Sequence, residues 1–340
     1  MRLRRTFVFC LLFAAVMAIY FFQTRLEKQA LTISPDEVNR NFVLAKTDVP
    51  LRLRILDHTA KTETVLEKEG DRWMLTAPVR YPADGRIVGG LVMALRMASE
   101  RPRLRAAKEW DEYGLAKPGL EMVVEMPGKK AETLKLGAKT PIGNGVYARW
   151  DSERGYFLLQ GEMGSALRPS AYLLREKRVF RAPPETIHKV SVEMGPNTWQ
   201  WKKDTGGEWY WMEPIAKLGQ KMPAESMGKV LVALQNFYIK EFLDGEKRSQ
   251  AELGFFIIHD RIWIEPDLGK TEFFHFGNEV SEQNAYYGLR EGEKPAFLID
   301  RMKVIQFLDL LKAVEKDVEG RGAKVNKPDT LSSAPSQPIP

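Results

Sequence analysis

Cysteine is nearly absent from this chain. The single thiol, Cys10, sits in an apolar run, so the rest of the 340 residues offers neither a disulfide framework nor a thiolate metal cluster. Histidine is also scarce, with only His58, His188, His259 and His275. Zinc needs three or four converging ligands, commonly at a spacing such as His-Glu-x-x-His. That spacing does not occur, and although His259 and His275 lie near Asp260, Glu265 and Asp267 in sequence, His275 within Phe273-Phe274-His275-Phe276 reads as an outward-facing strand residue. No metal and no cofactor is expected. A charge excess of one sign is missing as well: 51 Lys+Arg face 45 Asp+Glu, and Arg2, Arg4 and Arg5 supply half of the formal +6. This balance gives no basis for a nucleic-acid partner.

Motifs of group-transfer chemistry are equally lacking. No Gly-x-Gly-x-x-Gly or Gly-x-Ser-x-Gly occurs, and Gly269-Lys270-Thr271 lacks the earlier glycine of a phosphate loop because Ile264 stands there. Ser226-Met227-Gly228-Lys229 has the Ser-x-x-Lys spacing of some acyl-serine enzymes, but its place in the first turn of an expected helix explains it better. No catalytic residue is expected.

One long hydrophobic run is present. Phe7 to Phe22 is sixteen consecutive apolar residues, flanked by Arg2, Arg4 and Arg5 before it and Arg25 after it. At about 1.5 Å per residue it nearly spans a hydrocarbon core of roughly 30 Å, and its end at Tyr20-Phe21-Phe22 is too bulky for signal-peptide cleavage. The expected layout is a cytoplasmic N-terminus at 1–6, an uncleaved anchor at 7–22 and a linker at 23–48. By the positive-inside rule everything beyond stands outside the cytoplasm.

With 44% apolar and 28% charged residues, the remainder has the composition of a folded protein, and it says the same thing twice. Trp73 and Trp209 lie 136 positions apart, as do Pro78 and Pro214. Further on, the register is 140: Gly114 with Gly254, Leu134 with Phe274, Gly137 with Gly277, Tyr147 with Tyr287, Phe157 with Phe297 and Leu158 with Leu298. What recurs is the vocabulary of turns and cores, and no acid, base, thiol or imidazole recurs convincingly. Alternation around Leu53 and Ile55, a hairpin over Thr64–Leu66 and Arg72–Leu75, a Pro82-Ala83-Asp84 helix start and four later strands predict an α+β unit. Two tandem copies follow, at 49–180 and 185–314, the second with a helical end at Met302 to Val314. A Pro/Ser-rich tail at 315–340 has too little apolar surface to order itself.

Aromatic residues concentrate in Trp199-Gln200-Trp201 and Trp209-Tyr210-Trp211. At a spacing of 136, Trp201, Trp209 and Trp211 match Val65, Trp73 and Leu75, which marks them as core. Trp199 matches Glu63, a position that is seldom buried, so Trp199 is the one candidate contact residue. Any specific surface is then expected in the second copy.

These features resemble a bacterial family, domain of unknown function 4340. The resemblance rests on Gly70-Asp71-Arg72-Trp73-Met74-Leu75 with Pro78, Pro82-Ala83-Asp84 before a helix, Tyr113-Gly114-Leu115 with Pro118, Leu134-Lys135-Leu136-Gly137 and Val146-Tyr147-Ala148-Arg149. It implies a single N-terminal anchor and a place beside components of transport systems of the gliding-motility type, and it carries over no catalytic residue. The expected role is a non-enzymatic binding or scaffold protein of the bacterial inner membrane, its bulk periplasmic, with an envelope protein such as an ABC-type transporter as partner. The rivals are a hydrolase of envelope polymer and a ligand-binding module built on the exposed aromatics of the second repeat.

Overall fold

The computed structural model describes residues 48–105, 109–255 and 260–325, with side chains to 317, and the isolated positions 13, 14, 16–18, 21 and 44. The N-terminus, most of the expected anchor and linker, and the chain beyond 325 lie outside the described residues. Among the described residues, no helix is long and apolar enough to cross a membrane.

Two compact units meet at Glu176/Lys177. The boundary falls ahead of the expected 180–185 because the chain has already joined the second unit: Val179 N–H donates to Phe237 O, and Lys177 O accepts from Ile239 N–H. Each unit is α+β with one fully antiparallel sheet.

In the first unit, a meander of β1 (Arg52–Asp57), β2 (Thr62–Glu69), β3 (Arg72–Ala77) and β4 (Tyr81–Pro82) is followed by helix α1 (Gly85–Ser99). A second meander follows: β5 (Leu120–Glu125), β6 (Glu132–Lys139), β7 (Gly145–Trp150) and β8 (Phe157–Gln160). Two short helices, α2 (Gly161–Ala166) and α3 (Ala171–Leu174), close the unit. Strand β1 pairs with β5, which fuses the meanders into one sheet of order β4-β3-β2-β1-β5-β6-β7-β8. The α1 helix forms where predicted: Asp84 caps it by accepting from the backbone N–H of Arg86 and Ile87, and Val88, Leu91, Val92 and Leu95 are buried at helical spacing. They pack with Leu53, Leu66, Met122, Leu134, Trp150 and Phe157 in one core. Each such aliphatic, fully buried, contributes about 1.5–3 kcal/mol.

The second unit repeats this order as β9 (Ile187–Met194), β10 (Asn197–Lys203), β11 (Trp209–Glu213), β12 (Lys221–Met222), α4 (Ala224–Gln235), β14 (Arg261–Pro266), β15 (Glu272–Val280), β16 (Ala285–Arg290) and β17 (Phe297–Asp300). An added edge strand, β13 (Ile239–Phe242), pairs with β17, where the first unit has only the isolated bridge Leu104↔Tyr156. After β17 comes helix α5 (Arg301–Val325), which runs well into the stretch expected to be an unordered tail. Its buried Val304, Phe307, Leu311 and Val314 supply the apolar stripe that orders it.

The repeated glycines mark one shared contact. Gly114 (φ 67°) and Gly254 (φ 91°) end the turns that lead into β5 and β14, in a left-handed conformation that disfavours a side chain. Each turn lies against a strand glycine: a Cβ on Gly137 would collide with the carbonyl oxygen of Tyr113, and one on Gly277 with that of Leu253. In the second unit Asn278 N–H donates to the same Leu253 oxygen at 2.9 Å. The repeated prolines also share a geometry, each following a cis peptide bond, Ala77-Pro78 and Glu213-Pro214.

Strand pairing corrects the sequence register at one place. Ile55 pairs with Thr64 and Met122, while Val192 pairs with Trp199 and Ile262. Met122 and Ile262 are 140 apart, so Trp199 stands at the station of Thr64, not Glu63. The one-residue slip arises in the hairpin loops: four residues separate Asp57 from its partner Thr62, but only Gly195-Pro196 separates Met194 from Asn197. In a strand, a slip of one changes the face.

Gly137→Ala and Gly277→Ala are each expected to lower stability by about 1–3 kcal/mol through forced overpacking. Gly89→Ala, in an exposed α1 position with open space around its Cβ, is expected to raise it by about 0.5–1 kcal/mol. Urea midpoints of the three variants check this, and equal effects at the three positions would contradict it.

Candidate functional site

The aromatic cluster divides as strand pairing dictates. Trp201 and Trp211 are fully buried with ring centroids 5.0 Å apart, and Trp209 is buried as well. The candidate contact Trp199 is corrected: it is 2% exposed, and its indole N–H donates to Glu315 Oε2 at 2.9 Å. Glu315 lies midway along α5, and Lys217 Nζ, over the face of Trp211, donates to its backbone oxygen. Sequence could not show this because Glu315 fell in the stretch read as tail.

The histidines also sort differently from the sequence reading. His188, not His275, meets the acids, with Nδ1 3.3 Å from Asp267 and Nε2 3.8 Å from Glu265. Glu265 is shared with Lys189 at 2.9 Å, so the group reads as a surface ion-pair cluster. His259 lies outside the described residues. His275 is 6% exposed rather than outward in solvent, paired across the sheet with Arg261 and parallel to the Phe273 ring. Burial first, and the Arg261 charge, lower its pKa against the opposing pull of Glu291. No group of three or more metal-ligating side chains is assembled among the described residues. Ser226 is buried in α4, whereas Lys229 is exposed and pairs with Glu225 at 2.7 Å, so the Ser-x-x-Lys pair is not brought together.

Two adjoining cavities lie in the first unit. The larger, about 660 Å³, opens where β3 ends and β2 continues past it. Ile55, Thr62, Thr64, Ala77, Pro78 and Ala171 form its walls, with Asp57, Lys61, Glu63 and Arg168 among its polar groups. The smaller, about 490 Å³, lies along Ile87, Gly90 and Leu91 of α1 and shares Arg168, Pro169 and Ser170 with the first. Both volumes fall in the range of small-ligand sites. The shared segment is pinned at both ends: Leu167 is fully buried, and the Ser170 hydroxyl caps α3 by accepting from Leu173 N–H. Arg168 Nε lies 3.5 Å from Asp57 Oδ2, while Asp57 Oδ1 accepts from the N–H groups of Thr59 and Ala60 and so shapes the β1–β2 loop. Glu63 accepts from Arg54 Nε at 2.7 Å, which holds its carboxyl below the usual carboxylate range.

Four glutamates recur at a spacing of 140, contrary to the sequence reading: Glu112, Glu125, Glu132 and Glu153 match Glu252, Glu265, Glu272 and Glu293. Glu153 and Glu293 are 140 apart, and each receives a bidentate guanidinium. In the first unit Arg103, 2% exposed, donates to both Glu153 oxygens and to Ser99 O near the end of α1, and it lies over the Phe157 ring. In the second unit Arg181 holds both Glu293 oxygens at 2.8 and 3.0 Å, with Arg290 also 3.3 Å away. The partners come from different segments, which hides the pairing in sequence. These acids tie segments to the sheet and face neither cavity.

The family whose model matches is described as Domain of unknown function (DUF4340), over residues 73–255, more than half of the chain. The chain belongs to that family. The DUF4340 match begins at Trp73 in β3, covers the rest of the first repeat and ends at Phe255 in the second, just past the Gly254 turn. No curated protein and no solved structure matches the chain.

Glu153→Gln leaves the Arg103 guanidinium buried beside a neutral amide and is expected to cost about 3–5 kcal/mol. Glu69→Gln, at the exposed Arg80 pair, should cost less than about 1 kcal/mol. Thermal and urea unfolding of the two variants compare them directly. For His275 the folded chain prefers the neutral ring, so as pH falls below about 6.5 the unfolded state takes up its proton first. Stability therefore falls as pH drops through that value and below, until the folded ring is itself protonated. His275→Gln should flatten this part of the curve of urea midpoint against pH, and an unchanged slope would show that the ring is not the group involved.

Proposed function

We propose that this DUF4340 protein is a non-enzymatic, single-span protein of the bacterial cytoplasmic membrane. Its two repeats stand outside the cytoplasm, where they bind or scaffold envelope components, with a transporter of the ABC type as the partner class. The anchor rests on the apolar run 7–22 behind Arg2, Arg4 and Arg5. The binding role rests on one observation, that each carboxylate at the larger cavity is tied to an arginine, Asp57 to Arg168 and Glu63 to Arg54. A general acid or base needs a pKa near the working pH, and Arg54 moves Glu63 the other way. Aliphatic and hydroxyl walls between neutralised charges suit holding a group rather than cleaving one. The rival reading, a hydrolase of envelope polymer, would require one of these carboxylates to be released on substrate binding.

Orientation is testable because Cys10 is the only native thiol. Ile142, 91% exposed in the β6–β7 turn, is a site for a reporter. Ile142→Cys in a Cys10→Ser background is expected to react with a membrane-impermeant maleimide on intact spheroplasts, and labelling only after lysis would sink the proposed topology. Cross-linking of the full chain in native membranes is expected to recover the same envelope protein in repeat experiments. A chain that recovers none and turns over envelope polymer would favour the hydrolase.

A further inference from the structure

The station that borders a cavity in the first repeat carries an indole in the second, although its first-repeat residues Ile55 and Thr64 are themselves only 3% and 5% exposed. Ile55 and Thr64 pair across β1 and β2 and line the larger cavity, while Val192 and Trp199 pair at the same station across β9 and β10. The adjacent strand ends correspond too, with Ala77-Pro78 beside the cavity and Glu213-Pro214 in the second repeat, both cis. In the second repeat the Trp199 indole occupies this station, 2% exposed, and its N–H is met by the Glu315 carboxylate of α5. In the first repeat a threonine stands there, and the chain after β8 forms the short α2 and α3 instead of one long helix. The result is a cavity of about 660 Å³ with the same strand floor and nothing of indole size rising from it.

We propose that this cavity receives a tryptophan side chain presented by a partner protein, taking the place that Trp199 fills internally in the second repeat. The walls supply what an indole needs. Ile55, Ala77, Pro78 and Ala171 offer apolar contact, and Asp57, on the same strand face as Ile55, offers a carboxylate oxygen for the N–H, the part Glu315 plays in the second repeat. Because the volume exceeds one indole, the backbone that carries the tryptophan also finds room, and aromatic anchors of this kind dominate protein interfaces. The inference deepens the binding role proposed above and rests on it.

The probe is N-acetyl-tryptophanamide, titrated into the full chain in lipid nanodiscs with isotope-labelled isoleucine and alanine methyl groups. Saturable shifts of the Ile55, Ala77 and Ala171 methyl resonances are expected, with at least about tenfold weaker saturation by N-acetyl-leucinamide. Thr64→Trp reproduces the second repeat and should fold with a melting temperature no lower than the parent while abolishing the shifts. Should Thr64→Trp fold poorly, Ala171→Leu narrows the same cavity from the opposite wall and should weaken the probe at least about fivefold. No saturable shift in the parent, equal binding of the leucine probe, or unchanged binding in a folded cavity-filled variant would each overturn the proposal. If the probe fails while cross-linking still recovers one envelope partner, the tryptophan site falls and the binding role stands. If both fail, both fall.

Discussion

Each repeat depends on one strand pairing, β1 with β5 and β9 with β14. Hairpin-connected strands form locally at low entropic cost, but this pairing joins segments about 70 residues apart, and closing that loop must be offset by burial. The offset comes from the residues it brings together. Leu53, Ile55, Met122 and Val124 in the first unit, and Val190, Val192, Ile262 and Ile264 in the second, are all buried on the face that the helices cover. Without the pairing, β1 and β5 would each present an open edge, and α1 would have half a sheet to pack on. The glycine contacts at Gly137 and Gly277 serve the same junction, because they let the turn before β5 or β14 lie directly on the neighbouring strand β6 or β15.

Once that pairing is fixed, it dictates the register of β2 and β10, and small changes in loop length acquire large consequences. Removing two residues from the first hairpin loop of the second repeat places Trp199 on the core face, where the first repeat has Thr64. An indole N–H on the core face needs a hydrogen-bond acceptor, and α5 provides it through Glu315. The first repeat has a smaller residue, the short α2 and α3 in place of α5, and a cavity of about 660 Å³. The two copies thus differ at this station, where the first carries a cavity and the second an internal anchor.

The arginine–glutamate pairs, one buried and one half-buried, make a related point about specificity. Arg103 and Arg181 reach recurring glutamates from segments that do not correspond in sequence, so one structural need, fastening a peripheral segment to the sheet, is met from two directions. Such pairs contribute little net stability against apolar alternatives, but they penalise any arrangement that leaves one partner alone. They define where those segments dock rather than how tightly.

By itself the sequence determined the duplication, the α+β class, the hairpin, helix and four later strands of each repeat, the core tryptophans Trp201, Trp209 and Trp211, and the family. All of these follow from local periodicity, turn residues and spacing, which a linear chain records directly. Tertiary structure alone decided the burial of Trp199 and His275, the meeting of His188 with Glu265 and Asp267, the guanidinium partners of Glu153 and Glu293, and the cavity between Thr64 and Ala171. Each of these depends on which residues face each other across strands or loops of different length. A spacing of 136 carried through a hairpin that is two residues shorter misplaces every face until the next insertion restores it, and only the hydrogen-bonded register shows where that occurs.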